Sequence, residues 1–405
     1  MNTKEKKLNN RSKISLYLYL FFVLFGPKLF TVIDTSIIAS LIMIVTCAFG
    51  DKERRTIDRN QCALLILLVI ILVYGLIICL INGNFDIVFI GRMTRACAST
   101  VALYFFVKTH DDKEEIGTAI INLLIMHAIV VILSSLIFID IQDALRWFTG
   151  FDKTARYFRS TGLMTGFDIS GLLCAIGTIL VLLQKKFNPI KYFIFLIALL
   201  FTSRFSLIIY AIMTIEYLII KRKEKKAKIK KACILITLTP IAIIGMLLII
   251  LTTKNDITSN AINGFSESFP SIYKFVKNID IAYANTDFNE AASANISISD
   301  NHIEAIFGKG IYGGGDSGYT RIINSIGIIG LIAVAIWHIK LFRDYTSRDD
   351  NTMLLTVLFV TILAILDFKN SYFFTGTFFE IMLLELSINS NKKFKEKNEN
   401  IIRYI

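Results

Sequence analysis

Apolar blocks of about twenty residues, separated by short charged links, constrain this chain more than any other feature. A membrane-spanning helix needs roughly 20 apolar residues to cross a hydrocarbon core of about 30 Å. Hydrophobic residues make up 54% of the 405 residues and are gathered in such blocks. In lipid, a single segment satisfies all its backbone groups only as a helix. The sequence therefore predicts an all-α, polytopic integral membrane protein.

The positive charge lies between the apolar blocks. A net charge of +12 is compatible with nucleic-acid binding, but the Lys and Arg residues form short runs typical of cytoplasmic loops. We therefore predict no nucleic-acid partner. The six cysteines have neither metal-ligand nor disulfide spacing. The sequence also lacks a P-loop, an HExxH and a DxD-like metal motif outside the cytoplasmic links, so we predict no cofactor and no metal.

The basic runs fix a predicted topology of about 12 transmembrane helices with both termini in the cytoplasm. The basic N-terminus precedes an apolar run without a cleavage site, which indicates a retained first helix. Ten single spans are predicted at residues 14–33, 35–49, 62–81, 86–107, 116–139, 162–183, 232–252, 318–341, 352–368 and 370–389.

The block 191–220 supplies the other two spans. Basic runs flank it on both sides, at 184–191 and 221–231, so both flanks are predicted to be cytoplasmic. The block then forms a short helical hairpin with an outer turn at 202–206, recessed in the membrane. One kinked span is the alternative, but it would place the basic C-terminal run "NKKFKEK" outside. We favour the hairpin.

The chain is predicted to divide into three segments. Residues 1–252 hold the N-terminal transmembrane helices, including the short hairpin 191–220. Residues 253–317 carry eight Asp and Glu against four Lys, too few cations for a cytoplasmic link, so we predict a long, partly helical loop on the outer face. Residues 318–405 hold the C-terminal helices and a cytoplasmic tail.

Ionisable residues stand where this loop meets the next apolar block. Asp316 and Arg321 lie at the mouth of a hydrophobic helix, where such groups usually have a function. Arg321 shares one helix face with Ser317 and Asn324, so this face is predicted to line a cavity or contact other helices. Structural pairing of Arg321 with Asp316 is the competing interpretation.

The same junction offers candidates for substrate contact. Gly313 belongs to a glycine run that would let the backbone approach a sugar or phosphate, although such a run is also an ordinary flexible loop. Asp316 is a candidate base for an acceptor hydroxyl, but a helix cap explains it equally well. Tyr319 follows on the same turn and is a candidate for substrate binding.

Four more arginines lie near the predicted outer surface. Arg159 and Arg204 stand before a middle span and at the hairpin turn, and guanidinium groups bind phosphate bidentately. Arg92 and Arg95 share a helix face and are candidates to guide a diphosphate. In each case the simpler interpretation is an arginine whose head group reaches the lipid surface.

The remaining polar residues are weaker candidates. His302 is a possible base in the outer loop. His127 lies in the middle of a span and is predicted to hydrogen-bond between helices. Asp367 and Lys369 flank an outer turn and are predicted to form a surface pair.

Four motifs together resemble a known family. They are "RSTGLMTGFDISG" (159–171), "LLFTSRFSLIIYAI" (199–212), "FGKGIYGGGDSGYTRIINSIGIIGLI" (307–332) and "LDFKNSYFF" (366–374). Their order and spacing resemble the Wzy-type O-antigen or capsule repeat-unit polymerases of the O-antigen ligase/polymerase superfamily, over roughly residues 155–385. The related ligases usually have His-Asn where this chain has Asp316-Ser317, which favours polymerase over ligase.

The resemblance implies a GT-C-like helical fold in the bacterial inner membrane, with the active site on the periplasmic face. A glycosyltransferase of this family transfers a chain from undecaprenyl diphosphate to an incoming lipid-linked repeat unit, without metal or nucleotide sugar. It implies catalytic roles for Asp316, Arg204 and Arg321, and a chain-length regulator protein as a partner. The implied substrate-binding residues are Arg159, Tyr319, Gly313, Arg92 and Arg95.

Two other functions stay open. A flippase or transporter of lipid-linked oligosaccharides would usually show related halves, whereas this chain has one long outer loop. An O-antigen ligase would require a lipid A-core acceptor.

Overall fold

The computed structural model describes twelve stretches of the chain. Predictions for the span 232–252, for residues 253–300 of the outer loop and for Asp316 lie outside the described residues. The described stretches are residues 3–29, 33–48, 58–84, 86–110, 112–136, 144–145, 159–220, 301–313, 317–346, 350–367, 373–374 and 376–390.

Within these stretches the protein is helical, which confirms the predicted all-α class. A short strand pairing joins β1 (Lys28–Leu29) to β2 (Ile33–Asp34) in antiparallel register. The helices are α1 (Thr3–Phe25), α2 (Thr35–Ala48), α3 (Arg59–Ile81), α4 (Ile87–Thr109), α5 (Lys113–Leu136), α6 (Phe167–Leu183), α7 (Pro189–Leu200), α8 (Arg204–Ile220), α9 (His302–Phe307), α10 (Gly318–Tyr345), α11 (Asp350–Leu366) and α12 (Gly376–Ser390).

Helices α3, α5 and α10 are long and apolar enough to cross a membrane, and six shorter described helices are also apolar. One face of α3 is exposed and wholly apolar, and its residues follow a helical spacing. They are Ile66, Ile70, Val73 and Ile77. Because water would disfavour such a face and lipid would not, the helices are those of a membrane protein. The number of spans, about 12, stays a prediction.

Two predicted helix limits are wrong. The first helix ends at Phe25 and not at residue 33. Gly26 has φ +48°, and Pro27 disfavours helical geometry in the residue before it. The middle span begins at Phe167 and not at residue 162, because Gly162, with φ +52°, turns the chain first.

The chain packs as two compact units. One unit comprises residues 1–18, 27–34 and 118–285, and the other comprises residues 19–26, 35–117 and 286–405. In the first, α6 packs against both α7 and α8. In the second, α4 packs against α2, α3 and α12, and α10 packs against α3 and α9. The boundaries predicted at residues 252 and 317 stay predictions.

Helices α7 and α8 form two arms that fold back on each other. The hydroxyl groups of Tyr192 and Tyr210 hydrogen-bond to each other. Eighteen residues of straight helix would separate their Cα atoms by roughly 27 Å, so the chain reverses at 201–203. Both arms rest on α6, where a side chain at Gly171 would overlap Ser206. The block 191–220 is therefore a reversed pair of helices, whose side of the membrane stays a prediction.

Helix α10 is broken at Gly327, which has φ 70° and ψ −178°. The ring of Phe373 lies 5.5 Å from the ring of Tyr319 and 5.4 Å from that of His338, measured between centroids. In a straight helix the Cα atoms of Tyr319 and His338 would be roughly 28 Å apart, too far for both rings to contact one phenylalanine. Helix α10, which covers the predicted span 318–341, is therefore sharply bent at Gly327, and the sequence analysis did not predict this bend.

Candidate functional site

The glycine-rich loop after α9 is bonded to the break in α10. The last carbonyl groups of a helix have no partner within it, and the first part of α10 ends at the break. Here Lys309 N–H donates to the Asn324 carbonyl at 2.7 Å, and Gly310 N–H donates to the Ser325 carbonyl at 3.1 Å. The loop therefore supplies backbone donors that a continuous helix would have supplied itself.

The carbonyl side of the loop is held by α3 and the two asparagines that follow it. Four successive loop carbonyls, those of residues 307–310, each accept from a side chain. The donors are Tyr74 Oη at 3.1 Å, Asn82 Nδ2 at 3.2 Å, Asn84 Nδ2 at 3.1 Å and Cys79 Sγ at 3.5 Å. This part of the glycine-rich stretch is therefore a fixed element and not a loose connection.

Two glycines allow the loop backbone to touch the helix backbone. Gly308 has φ +98°, and a Cβ there would lie 2.6 Å from the Ser325 carbonyl oxygen. Gly327 faces the backbone of Ile306 in the same way. Only glycine combines positive φ with such an approach. Gly313, predicted to approach substrate, accepts a hydrogen bond from Asn324 Nδ2 at 2.8 Å through its carbonyl.

Two of the predicted arginines meet at Tyr312 in this loop. The Arg92 guanidinium lies 4.7 Å from the ring centroid, and Arg92 Nη1 donates to the Tyr312 hydroxyl at 2.9 Å. The Arg321 guanidinium lies 5.8 Å from the same centroid. Each such cation–π contact contributes about 0.5–2 kcal/mol. All three side chains are partly exposed, so a solute reaching the loop would find two cations together.

Arg95 has a different environment although it shares a helix face with Arg92. Its Nε and Nη2 atoms donate to Glu380 at 3.2 and 3.3 Å. The Glu380 side chain is fully buried and also accepts from the Ser99 hydroxyl at 2.9 Å. Arg95 therefore balances a buried carboxylate, and this pairing accounts for it without a ligand or a lipid head group.

The N-terminus of α10 rests on the end of α11. Ser317 is its N-cap residue, and Asp316, for which a base and a helix cap were the two interpretations, lies outside the described residues. The Asp367 carbonyl accepts from Ser317 Oγ at 2.9 Å and from Gly318 N–H at 2.7 Å. The Tyr319 hydroxyl donates to the Ala364 carbonyl at 3.0 Å, so its polar end is bound to the protein.

Asp367 is not a surface residue, which corrects the prediction for it. It is fully buried, and its carboxylate accepts from Phe373 N–H at 3.3 Å. Its position under the first turn of α10 excludes water from it. Lys369, its predicted partner, lies outside the described residues.

A fourth arginine, Arg159, contacts the turn between α7 and α8. Arg159 Nε donates to the Thr202 carbonyl at 3.2 Å, and its guanidinium lies 4.6 Å from the Phe167 ring centroid. Ser160 N–H donates to the Phe201 carbonyl at 2.9 Å. Thr202 is buried. The structure therefore brings Arg159 to the turn that leads into Arg204, whose side chain lies outside the described part.

His127 is a structural residue, as predicted. Its Nδ1 accepts from Leu163 N–H at 3.2 Å, so a neutral ring carries its proton on Nε2. That nitrogen lies 3.0 Å from Ser170 Oγ on α6. The hydrogen bond between helices is confirmed. His302 is the exposed first residue of α9.

Sequence reasoning missed the residues that complete these sites. Tyr312 carries no signal of its own between glycines. Asp86 accepts from Tyr312 N–H through its carboxylate. Its spacing with Phe89 and Arg92 would place all three on one helical face, a signal that was present in the sequence.

The fold and these contacts define a helical membrane protein with one basic cluster at a broken helix and another basic position at a helical turn. Comparison with protein-family models gives no match, and comparison with curated proteins gives no significant match.

Proposed function

We propose that the chain polymerises undecaprenyl-diphosphate-linked oligosaccharide repeat units into O-antigen or capsule polysaccharide. In this proposal it is a metal-independent glycosyltransferase of about 12 spans with a GT-C-like fold. It acts at the periplasmic face of the bacterial inner membrane and works with a chain-length regulator. The sequence resemblance over roughly residues 155–385 is the starting point for this proposal.

The meeting of Arg92 and Arg321 at Tyr312 is the observation that carries the proposal furthest. Their side chains come from α4 and α10 and converge on a loop that is bonded on both sides. Guanidinium groups bind phosphate through two parallel hydrogen bonds. A pair of them on a fixed, partly exposed loop suits a diphosphate leaving group, because its charge grows as the sugar departs.

The reaction assigns roles to the other candidates. The anomeric C–O bond to the donor diphosphate breaks, and a new bond forms to a hydroxyl of the incoming repeat unit. Asp316 takes the proton of that hydroxyl. Arg159 and Arg204 bind the diphosphate of the acceptor, and Tyr319 and Gly313 line the approach of the sugars. Arg95 keeps α4 in place by balancing Glu380.

Single alanine substitutions in a strain that lacks the chromosomal copy test this function. We expect Arg92→Ala and Arg321→Ala to collapse the long surface-polysaccharide ladder to single repeat units on a gel. Arg343→Ala is the matched control, because Arg343 is on α10 with its side chain 74% exposed, and its ladder should stay long. Immunoblots of membranes establish equal protein levels. Long ladders from both test variants would end the proposal.

Purified protein separates polymerase from the other functions. In detergent micelles supplied with lipid-linked repeat units, a polymerase elongates the glycan. A flippase yields no longer product, because it only moves substrate across a bilayer. A ligase yields product only when lipid A-core is added.

A further inference from the structure

Tyr312 is held by the N-cap residue of α4 and by two residues on the same face of that helix. Asp86 accepts from its backbone N–H, Phe89 contacts its ring with centroids 6.3 Å apart, and Arg92 contacts both its ring and its hydroxyl. The spacing of these three residues, three apart each time, places them one above the other on the helix. If Tyr312 only filled space in the loop, contacts with its ring would be enough. Here its backbone N–H, its ring and its hydroxyl are all bound, which indicates that its position matters.

Asp86 bonds both of its carboxylate oxygens. Oδ1 accepts from Val88 N–H at 2.8 Å and so caps α4, and Oδ2 accepts from Tyr312 N–H. The cap fixes the carboxylate relative to α4, and the second bond fixes Tyr312 relative to the carboxylate. The position of Tyr312 is therefore set by the same helix that carries Arg92.

Arg321 reaches the same ring from α10. Since both guanidinium groups contact one ring, at 4.7 and 5.8 Å from its centroid, the ring sets how far apart they stand. Two guanidinium groups that contact one ring repel each other, and the negative face of the aromatic ring attracts each of them. Without the ring, each long side chain would regain its other rotamers.

We propose that Tyr312, held by Asp86, is a positioning residue that spaces Arg92 and Arg321 so that together they bind both phosphoryl groups of one diphosphate. The inference rests on the proposed function and adds the residue that positions the two arginines for their diphosphate. Tyr312 acts through the two arginines and does not itself react. The expected signature is a preference for pyrophosphate over orthophosphate, because only the former presents two phosphoryl groups.

Calorimetric titration of the purified full chain with inorganic pyrophosphate and with orthophosphate tests this. We expect Tyr312→Leu to weaken pyrophosphate binding about tenfold while orthophosphate binding changes little. Tyr312→Phe keeps the ring and should stay within about threefold of the unmodified chain. Asp86→Asn should act in the same direction as Tyr312→Leu, because its amide nitrogen cannot accept a hydrogen bond.

Tyr104→Leu is the matched control. Tyr104 also lies on α4, under the Lys108 ammonium at 5.6 Å, and its hydroxyl accepts from Asp58 N–H at 3.2 Å. Its substitution removes the same kind of contacts elsewhere and should leave pyrophosphate binding unchanged. Gel filtration and thermal unfolding establish that each variant is folded. If Tyr312→Leu does not fold, the comparison of Asp86→Asn with Tyr312→Phe tests the proposal instead.

The two proposals fail differently. If pyrophosphate binding survives Tyr312→Leu and Asp86→Asn but is lost in Arg92→Ala and Arg321→Ala, the positioning role is overturned and the proposed function stands. If the two arginine variants bind pyrophosphate as the unmodified chain does, the cluster does not bind phosphate, and both proposals fail.

Discussion

Two regions of the molecule interrupt a helix, and they hold their arginines in opposite ways. The hairpin region comprises α6, α7, α8 and Arg159, and the glycine-loop region comprises α3, α4, α9 and α10. In the hairpin region Arg159 is bound to the turn itself, through the Thr202 carbonyl. In the glycine-loop region the loop is bound by other groups, and Arg92 and Arg321 are gathered at a tyrosine.

The difference indicates which arginines are placed for a ligand. Where an arginine is hydrogen-bonded to the backbone, its substitution should destabilise the fold. A loss of ligand binding in such a variant would then not show that the arginine contacts the ligand. Where asparagine amides, a tyrosine hydroxyl and backbone N–H groups hold the loop, the arginines are not needed for that purpose. The four predictions that follow test this distinction through stability, measured as unfolding by dodecyl sulfate in mixed micelles.

The largest effect is expected at Glu380. Glu380→Met leaves the partly buried Arg95 guanidinium without its carboxylate, and breaking an ion pair whose carboxylate is fully buried costs about 4 kcal/mol. The double variant Arg95→Met with Glu380→Met should recover most of the loss. If the single variant were as stable as the unmodified chain, Arg95 would have to be counted with Arg92 as a ligand-binding residue.

The next effect is expected at the break in α10. Gly327→Ala forces a side chain into positive φ and against the Ile306 backbone, and the combined cost is about 3 kcal/mol. Gly91→Ala is the control on α4, where the added Cβ meets nothing within 4 Å; it should be neutral or stabilise by about 0.5–1 kcal/mol. Equal effects at the two glycines would contradict the broken helix.

Arg159→Met should cost about 2 kcal/mol, since it removes a charged donor from the Thr202 carbonyl. Arg343→Met, at an exposed position of α10, should cost little. The comparison between regions predicts that Arg92→Met costs clearly less than Arg159→Met. The reverse order would mean that Arg92 is a structural residue.

The smallest effect is expected at Asn82 and Asn84, whose side chains bind the carbonyl groups of the glycine-rich loop. Asn82→Ala removes two neutral hydrogen bonds, to the Ile78 and Gly308 carbonyls, and should cost about 1 kcal/mol. Asn84→Ala should lower the free energy of unfolding by about the same amount, because it removes the donor to the Lys309 carbonyl. If either variant lost more than about 3 kcal/mol of unfolding free energy, that one asparagine would hold the loop by itself, and the contacts would not share the task.

Much of the helical architecture follows from local sequence, because apolar length and basic flanks act on each helix separately. The reversal within 191–220 follows from the lysines on both sides of it. The break at Gly327 does not follow, because its cause lies in Gly308 and the loop backbone, and a lone glycine in an apolar run is ordinary in a membrane helix.

The candidate site was predictable only in part. Arg92 and Arg321 are conspicuous as charges beside apolar residues, so composition alone marks them. Their common partner Tyr312 is not, because a tyrosine between glycines is unremarkable until two distant helices close on it. The burial of Asp367 likewise depends on where α10 begins and not on its neighbours in sequence.

The hydrogen bonds that Lys309 and Gly310 N–H donate to the Asn324 and Ser325 carbonyls have a consequence for biogenesis. Those carbonyls would be bare in lipid if α10 entered the bilayer without the preceding loop, and bare backbone groups there are strongly disfavoured. We therefore expect α9, the loop up to Gly313 and α10 to enter the membrane together and not one after another.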